Sequence, residues 1–233
     1  MNKLHVLLFC VFTIYCTAQE QSKKITDTEI KELGDQIKID DTIFMKDGKL
    51  NIRKLEQIGK PSEASVPLDK GWQQTITYYY NEMLEDGTSL EVSGNEFSGY
   101  SKNIRKKNSP FEMIYGYYNS GKIKNSTNHY IKRFIKGISF VFNEEGIIES
   151  YKNYDEDFNF TWESVQRFLQ NKKIKEEGII EINRSSNDGI YIWVILYKPK
   201  ELLNTDNAKA LHLDGKTGEI VKEIIYDNAV YLD

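Results

Sequence analysis

Several short stretches carry residue types that could do chemistry, and their spacing decides against most of them. Gly215-Lys216-Thr217 ends like a phosphate-binding loop. That motif needs a glycine five residues before Gly215, where Ala210 stands, and the residues after Thr217 have the composition of a strand instead of a helix. Asp155, Asp157 and Asn159 alternate like the first three oxygen ligands of a calcium loop. Phe160 replaces the turn glycine and Gln166 the bidentate glutamate, so these acids are better explained as charges ahead of a helix N-terminus. Beyond residue 18 the histidines are His129 and His212, too few for a usual transition-metal or nucleophilic site, and no G-x-S-x-G elbow occurs. A glycosidase-type carboxylate pair leaves no spacing signature among 35 acidic residues, so a polysaccharide hydrolase stays open as the alternative activity. Neither a cofactor nor a metal is expected.

Aromatic clusters are the other candidates. Tyr78-Tyr79-Tyr80 and Tyr115 to Tyr118 could make a platform for a peptide or a glycan. Alternate strand residues point to opposite faces, so Tyr78 with Tyr80, and Tyr115 with Tyr117, are the subsets that share a surface. These four and Trp193 are the candidate binding residues. The same spacing also suits cross-strand packing with hydroxyls at the rim.

The element that organises the second half is Ile190 to Tyr197, apolar on both faces and rich in β-branched and aromatic residues. Such a strand belongs inside a sheet with a cover. Thr161 is a good N-cap, Glu163 suits the positive end of a helix, and Phe160 with Val165 occupy the positions of a hydrophobic staple. Trp162, Val165, Phe168 and Leu169 form one apolar stripe. That stripe is expected to cover the face carrying Ile190, Ile192, Val194 and Leu196. Further strands are predicted at 178–183, 208–213 and 219–226, the last after Asp214-Gly-Lys-Thr-Gly218. The run "HLDGKTGEIV", with the helix and hairpins before it, resembles the PepSY family of small exported modules over residues 161–227. The resemblance implies a non-enzymatic exported domain, associated in that family with protease inhibition or envelope roles.

Upstream, Tyr117-Tyr-Asn-Ser-Gly121-Lys-Ile123 and Phe140-Val-Phe-Asn-Glu-Glu-Gly146-Ile-Ile148 each place aromatics before a polar turn with glycine and an aliphatic residue after it. The pattern at 115–150 resembles MORN-like antitoxin-type repeats and implies a β-meander. In the first half, a strand near Ile37, Ile39, Ile43 and Phe44 precedes Leu50, Ile52, Leu55 and Ile58, whose helical spacing stops at Gly59 and Pro61. Strands at 74–80, 88–92 and 97–100 follow. The basic stretch Lys102 to Pro110 is expected to be a solvated linker and a unit boundary.

The expected fold class is α+β with mainly antiparallel sheets: a small N-terminal β-α-β-β-β unit at 36–110, and a C-terminal meander with one covering helix at 111–233. Leu4 to Tyr15 are apolar and end at Ala18, as in a cleaved signal peptide of residues 1–18, with a polar leader at 19–35. Both cysteines, Cys10 and Cys16, fall inside that peptide, so the core alone must hold the exported chain. A formal charge of −4 with mixed signs argues against nucleic-acid partners. The expected function is a non-catalytic, exported binding protein of the cell envelope. It would recognise a protein or peptide through sheet surface or edge, with no integral membrane span after cleavage.

Overall fold

Alternating apolar and polar residues dominate the chain, and strands dominate the structure. The computed structural model describes residues 26–35, 43–69, 71–131 and 133–227. The expected signal peptide, the start of the polar leader, and Ile37 with Ile39 lie outside those residues. The described part is α+β, mostly β, with antiparallel sheets.

Helix α1 (Asp27–Asp35) opens on a reciprocal cap: Thr26 Oγ1 accepts from Glu29 N at 3.3 Å, and Glu29 Oε2 accepts from Thr26 N at 2.9 Å. The hairpin β1 (Met45–Lys46) and β2 (Lys49–Leu50) leads into α2 (Ile52–Ile58), capped by Asn51 at its start and closed by a Gly59 N–H to Leu55 O bond of 2.7 Å. Eight strands then form one antiparallel meander, each bonded to the next: β3 (Lys60–Leu68), β4 (Gly71–Met83), β5 (Ser89–Asn95), β6 (Gly99–Arg105), β7 (Phe111–Tyr117), β8 (Ile123–Tyr130), β9 (Ile135–Phe142) and β10 (Ile148–Asn153).

Two features of this sheet depart from the sequence reading. β3 was not expected, because Pro61 read as the stop after the preceding helix and no strand was assigned before residue 74. β3 is an edge strand, where a missing N–H can face away from the ladder, and it is largely exposed. The boundary expected at 102–110 instead falls on a hairpin, since β6 pairs with β7 from Tyr100↔Tyr117 to Ile104↔Met113. Lys102, counted there as a solvated charge, is fully buried, its Nζ 5.8 Å from the Tyr115 ring centre. Strand alternation turns it inward while Lys106 and Lys107 in the following turn stay exposed.

Register puts Val92, Lys102, Tyr115, Ser126, Phe140 and Tyr151 in one row on one face of the large sheet. That face carries the covers. Phe44, Leu50 and Leu55 pack on Leu90, Val92, Tyr100, Tyr115 and Tyr117, and Ile30 of α1 packs on Phe140 and Phe142. The other face is polar: Ser93 meets Ser101 at 3.2 Å and Thr127 meets Ser139 at 3.0 Å.

After β10, α3 (Trp162–Asn171) covers a second meander of β11 (Ile179–Asn187), β12 (Ile190–Tyr197), β13 (Ala208–Asp214) and β14 (Ile220–Tyr226). β12 is internal, as expected. The covered face is the opposite of the expected one. Trp162, Val165 and Leu169 meet Trp193, Ile195 and Tyr197, while Ile192, Val194 and Leu196 remain half-buried. Trp193 explains the choice: its ring is large enough to fill the space under the helix, and its Nε1–H reaches Phe160 O at 2.8 Å. The turn after β13 has its own logic. Asp214 Oδ1 accepts from Lys216 N and Thr217 N, and Gly218 sits at φ 76 with the Phe160 ring where a Cβ would go.

Ile195→Ala, on the helix side and fully buried, is therefore expected to cost about 2–5 kcal/mol, and Val194→Ala clearly less. Urea unfolding of the two variants checks this; equal losses would mean that the open face is packed as well.

Candidate functional site

The large sheet's covered face is left open between α1 and α3. There a cleft of about 490 Å³ is lined by Met113, Asn128, Lys136, Ile138 and Phe140 of the sheet and Leu33 of α1. Phe158, Thr161, Trp162 and Glu163 around the start of α3 complete it, with Asn153, Asp155 and Arg184. Local sequence places each wall. Thr161 is extended (φ −67, ψ 169) and its side chain accepts from Ser164 N at 3.4 Å, which fixes the first turn of α3 and points Trp162 and Glu163 toward the sheet. Trp162 then joins Phe111, Tyr130, Phe134 and Trp193 in a continuous aromatic cluster with ring centres 4.9–6.3 Å apart.

Arg184, opposite Trp193 in the β11–β12 ladder, forms the floor beside this cluster. Its guanidinium carbon lies 4.3 Å from the Trp193 ring centre, 4.7 Å from Phe158 and 4.9 Å from Phe134. Its Nη1 donates to Asp155 Oδ1 at 2.6 Å, Tyr154 O at 2.8 Å and Ile135 O at 3.2 Å. The side chain is 8% exposed, and its buried Nε has no hydrogen-bond partner among the described residues. Burial pulls the guanidinium below its ordinary value, and the Asp155 charge opposes that pull.

A second ion pair crosses the cleft, Lys136 Nζ to Glu163 Oε1 at 2.5 Å. Burial pushes the Glu163 carboxyl up, but the hydrogen bond from Lys136 and the residue's own backbone N–H outweigh it, so the net shift is downward. The carboxylate with a raised value is elsewhere. Glu112 lies on the opposite face of the sheet, across from His129, and burial raises it with help from the charge of Glu91.

The residues singled out from sequence are brought together, but inside. Tyr78, Tyr80, Tyr115 and Tyr117 share one face, as alternation requires. Tyr115 and Tyr117 are buried under α2 and the β1–β2 hairpin, and Tyr78 and Tyr80 are half-buried against the same core. Trp193 is fully buried. The expected aromatic platform is thus corrected to interior packing, because the covers sit on the face these rings occupy. Asp155, first weighed as a calcium ligand, is instead the partner of Arg184. Among the described residues no group of three or more His, Cys, Asp or Glu is placed to hold a metal ion. Sequence reasoning missed Arg184 and Lys136; an arginine within a strand whose cross-strand neighbour is tryptophan was the available signal. No family model, curated protein or solved structure matches the chain.

Because the Glu163 carboxyl is lowered on folding, its contribution is fully present above the unfolded value near about pH 4.3 and is lost as pH falls through the lower folded value. Glu163→Gln should flatten the fall of the urea midpoint between about pH 5 and pH 3. Parallel pH profiles for the two proteins would show that the pair does not form.

Proposed function

We propose that this chain is an exported, non-catalytic binding protein of the cell envelope that recognises a protein or peptide through the covered face of its large sheet, at the cleft beside Arg184. The observation that carries the reading is the cleft itself: apolar walls, a few convergent polar groups, and a volume of about 490 Å³ on an eight-stranded sheet. The two acids facing it, Asp155 and Glu163, are each engaged by a cation, and the Glu163 carboxyl is lowered. That pairing suits recognition better than proton donation, which needs an acid held protonated. The apolar run Leu4 to Tyr15 supports export, and the resemblance of 161–227 to PepSY modules points the same way. Among the described residues, no helix is long and apolar enough to cross a membrane.

One observation favours the rival reading, an envelope polysaccharide hydrolase. Glu112 has a raised carboxyl near Glu91 on a polar sheet face, as a general acid would. Photo-crosslinking separates the two readings. A crosslinking residue at Asn128, in the cleft, should give a discrete adduct in native envelope, and one at Thr127, on the opposite face, should not. Adducts at Thr127 alone would overturn the placement of the binding surface in the cleft, and glycan cleavage abolished by Glu112→Gln would overturn the binding reading in favour of the hydrolase.

A further inference from the structure

The unsatisfied edge of Arg184 points to the ligand's chemistry. Among the described residues, the three hydrogen bonds of the guanidinium leave from Nη1, and the Nε–Nη2 edge contributes none of them. Nε is buried without a partner among the described residues, in a side chain that is 8% exposed and lines the cleft. A buried N–H normally has an acceptor, and the Nε–Nη2 edge is one of the forks by which arginine takes a carboxylate through two parallel bonds. Building on the binding reading above, we propose that the cleft holds the C-terminal carboxylate of a peptide on this edge of Arg184.

The surroundings fit a chain end better than a bare anion. The positive end of α3 faces the cleft through Thr161 and Glu163 and favours added negative charge. Lys136 is close by, and its partner Glu163 is 47% exposed, so that pair can open to water and leave the ammonium for the second carboxylate oxygen. Asn128 and Asn153 can hydrogen-bond a peptide group, and Phe140, Phe158 and Trp162 provide walls for an apolar terminal side chain. A cleft of about 490 Å³ accommodates about two or three residues of such a peptide.

Side-chain nitrogen NMR of the full chain tests this, reading the Arg184 Nε–Hε and Trp162 indole resonances. The probes are N-acetyl-phenylalanyl-leucine, its C-terminal amide, and N-acetyl-glutamyl-leucine amide, whose carboxylate is on a side chain. The free acid should shift both resonances, with the amide and the side-chain acid each at least about tenfold weaker. Lys136→Gln, which leaves the Arg184 cluster intact, should weaken the acid several-fold and leave the amide unchanged. Acid and amide binding equally at the cleft would overturn the carboxylate assignment while the peptide-binding reading stands. Equal binding of the side-chain acid would overturn the preference for a chain end. No shift of either resonance with any probe up to about 10 mM would overturn both the carboxylate assignment and the peptide cleft.

Discussion

A charged guanidinium cannot be buried unless its hydrogen bonds and its charge are both met. Arg184 meets that constraint by drawing together parts of the chain that are otherwise separate. Its acceptors are the first residue of β9, Tyr154 immediately after β10, and Asp155, and the flanking rings come from Phe134, Phe158 and Trp193. Arg184 on β11 therefore joins the large sheet to the helix-covered small sheet, beside the aromatic cluster and the Lys136–Glu163 pair that also link them. The same contacts set where α3 begins, because Phe158 and Phe160 immediately precede its cap and Phe160 O accepts from Trp193.

That junction also explains why the cleft lies where it does. Every cover of the large sheet, from α1 and α2 to the aromatic end of the small unit, sits on the same face. Covers of limited length leave a gap, and the sheet positions in that gap include Asn128 and Lys136 in place of further rings. The opposite face needs no cover. Its serines, threonines and asparagines bond across strands, as in Asn125 Oδ1 accepting from Gly116 N at 3.1 Å. A one-residue slip of any central strand would exchange these two chemistries, so the register is strongly specified.

Much of the fold was legible because it is written locally. The Thr161 cap, the internal strand at 190–197, the hairpins at Gly121 and Gly146, and the Asp214 to Gly218 turn each depend on neighbours within a few residues. What was not legible depends on partners far along the chain. Choosing the Trp193 face over the Val194 face required knowing that Phe134 and Tyr130 would arrive beside it. β3 was hidden because its prolines signal a strand only once the strand is known to be at an edge, and Lys102 was hidden because only its register turns it inward. The candidate site was the least legible part. Arg184 and Asp155 are 29 residues apart, and a salt bridge at that separation leaves no periodic trace.

The account stands on Arg184 coupling the two sheets. Equilibrium unfolding of the wild type and Arg184→Met, followed in parallel by tryptophan fluorescence and far-ultraviolet circular dichroism, tests it most directly. In the wild type the two signals should change together. Arg184→Met should lose about 3 kcal/mol, the lower end for removing one partner of a buried ion pair, since Asp155 is 32% exposed. It should also separate the signals, with fluorescence from Trp162 and Trp193, read in a Trp72→Phe background because Trp72 lies on β4, changing at lower denaturant than the large sheet. Coincident transitions at an unchanged midpoint would contradict the account.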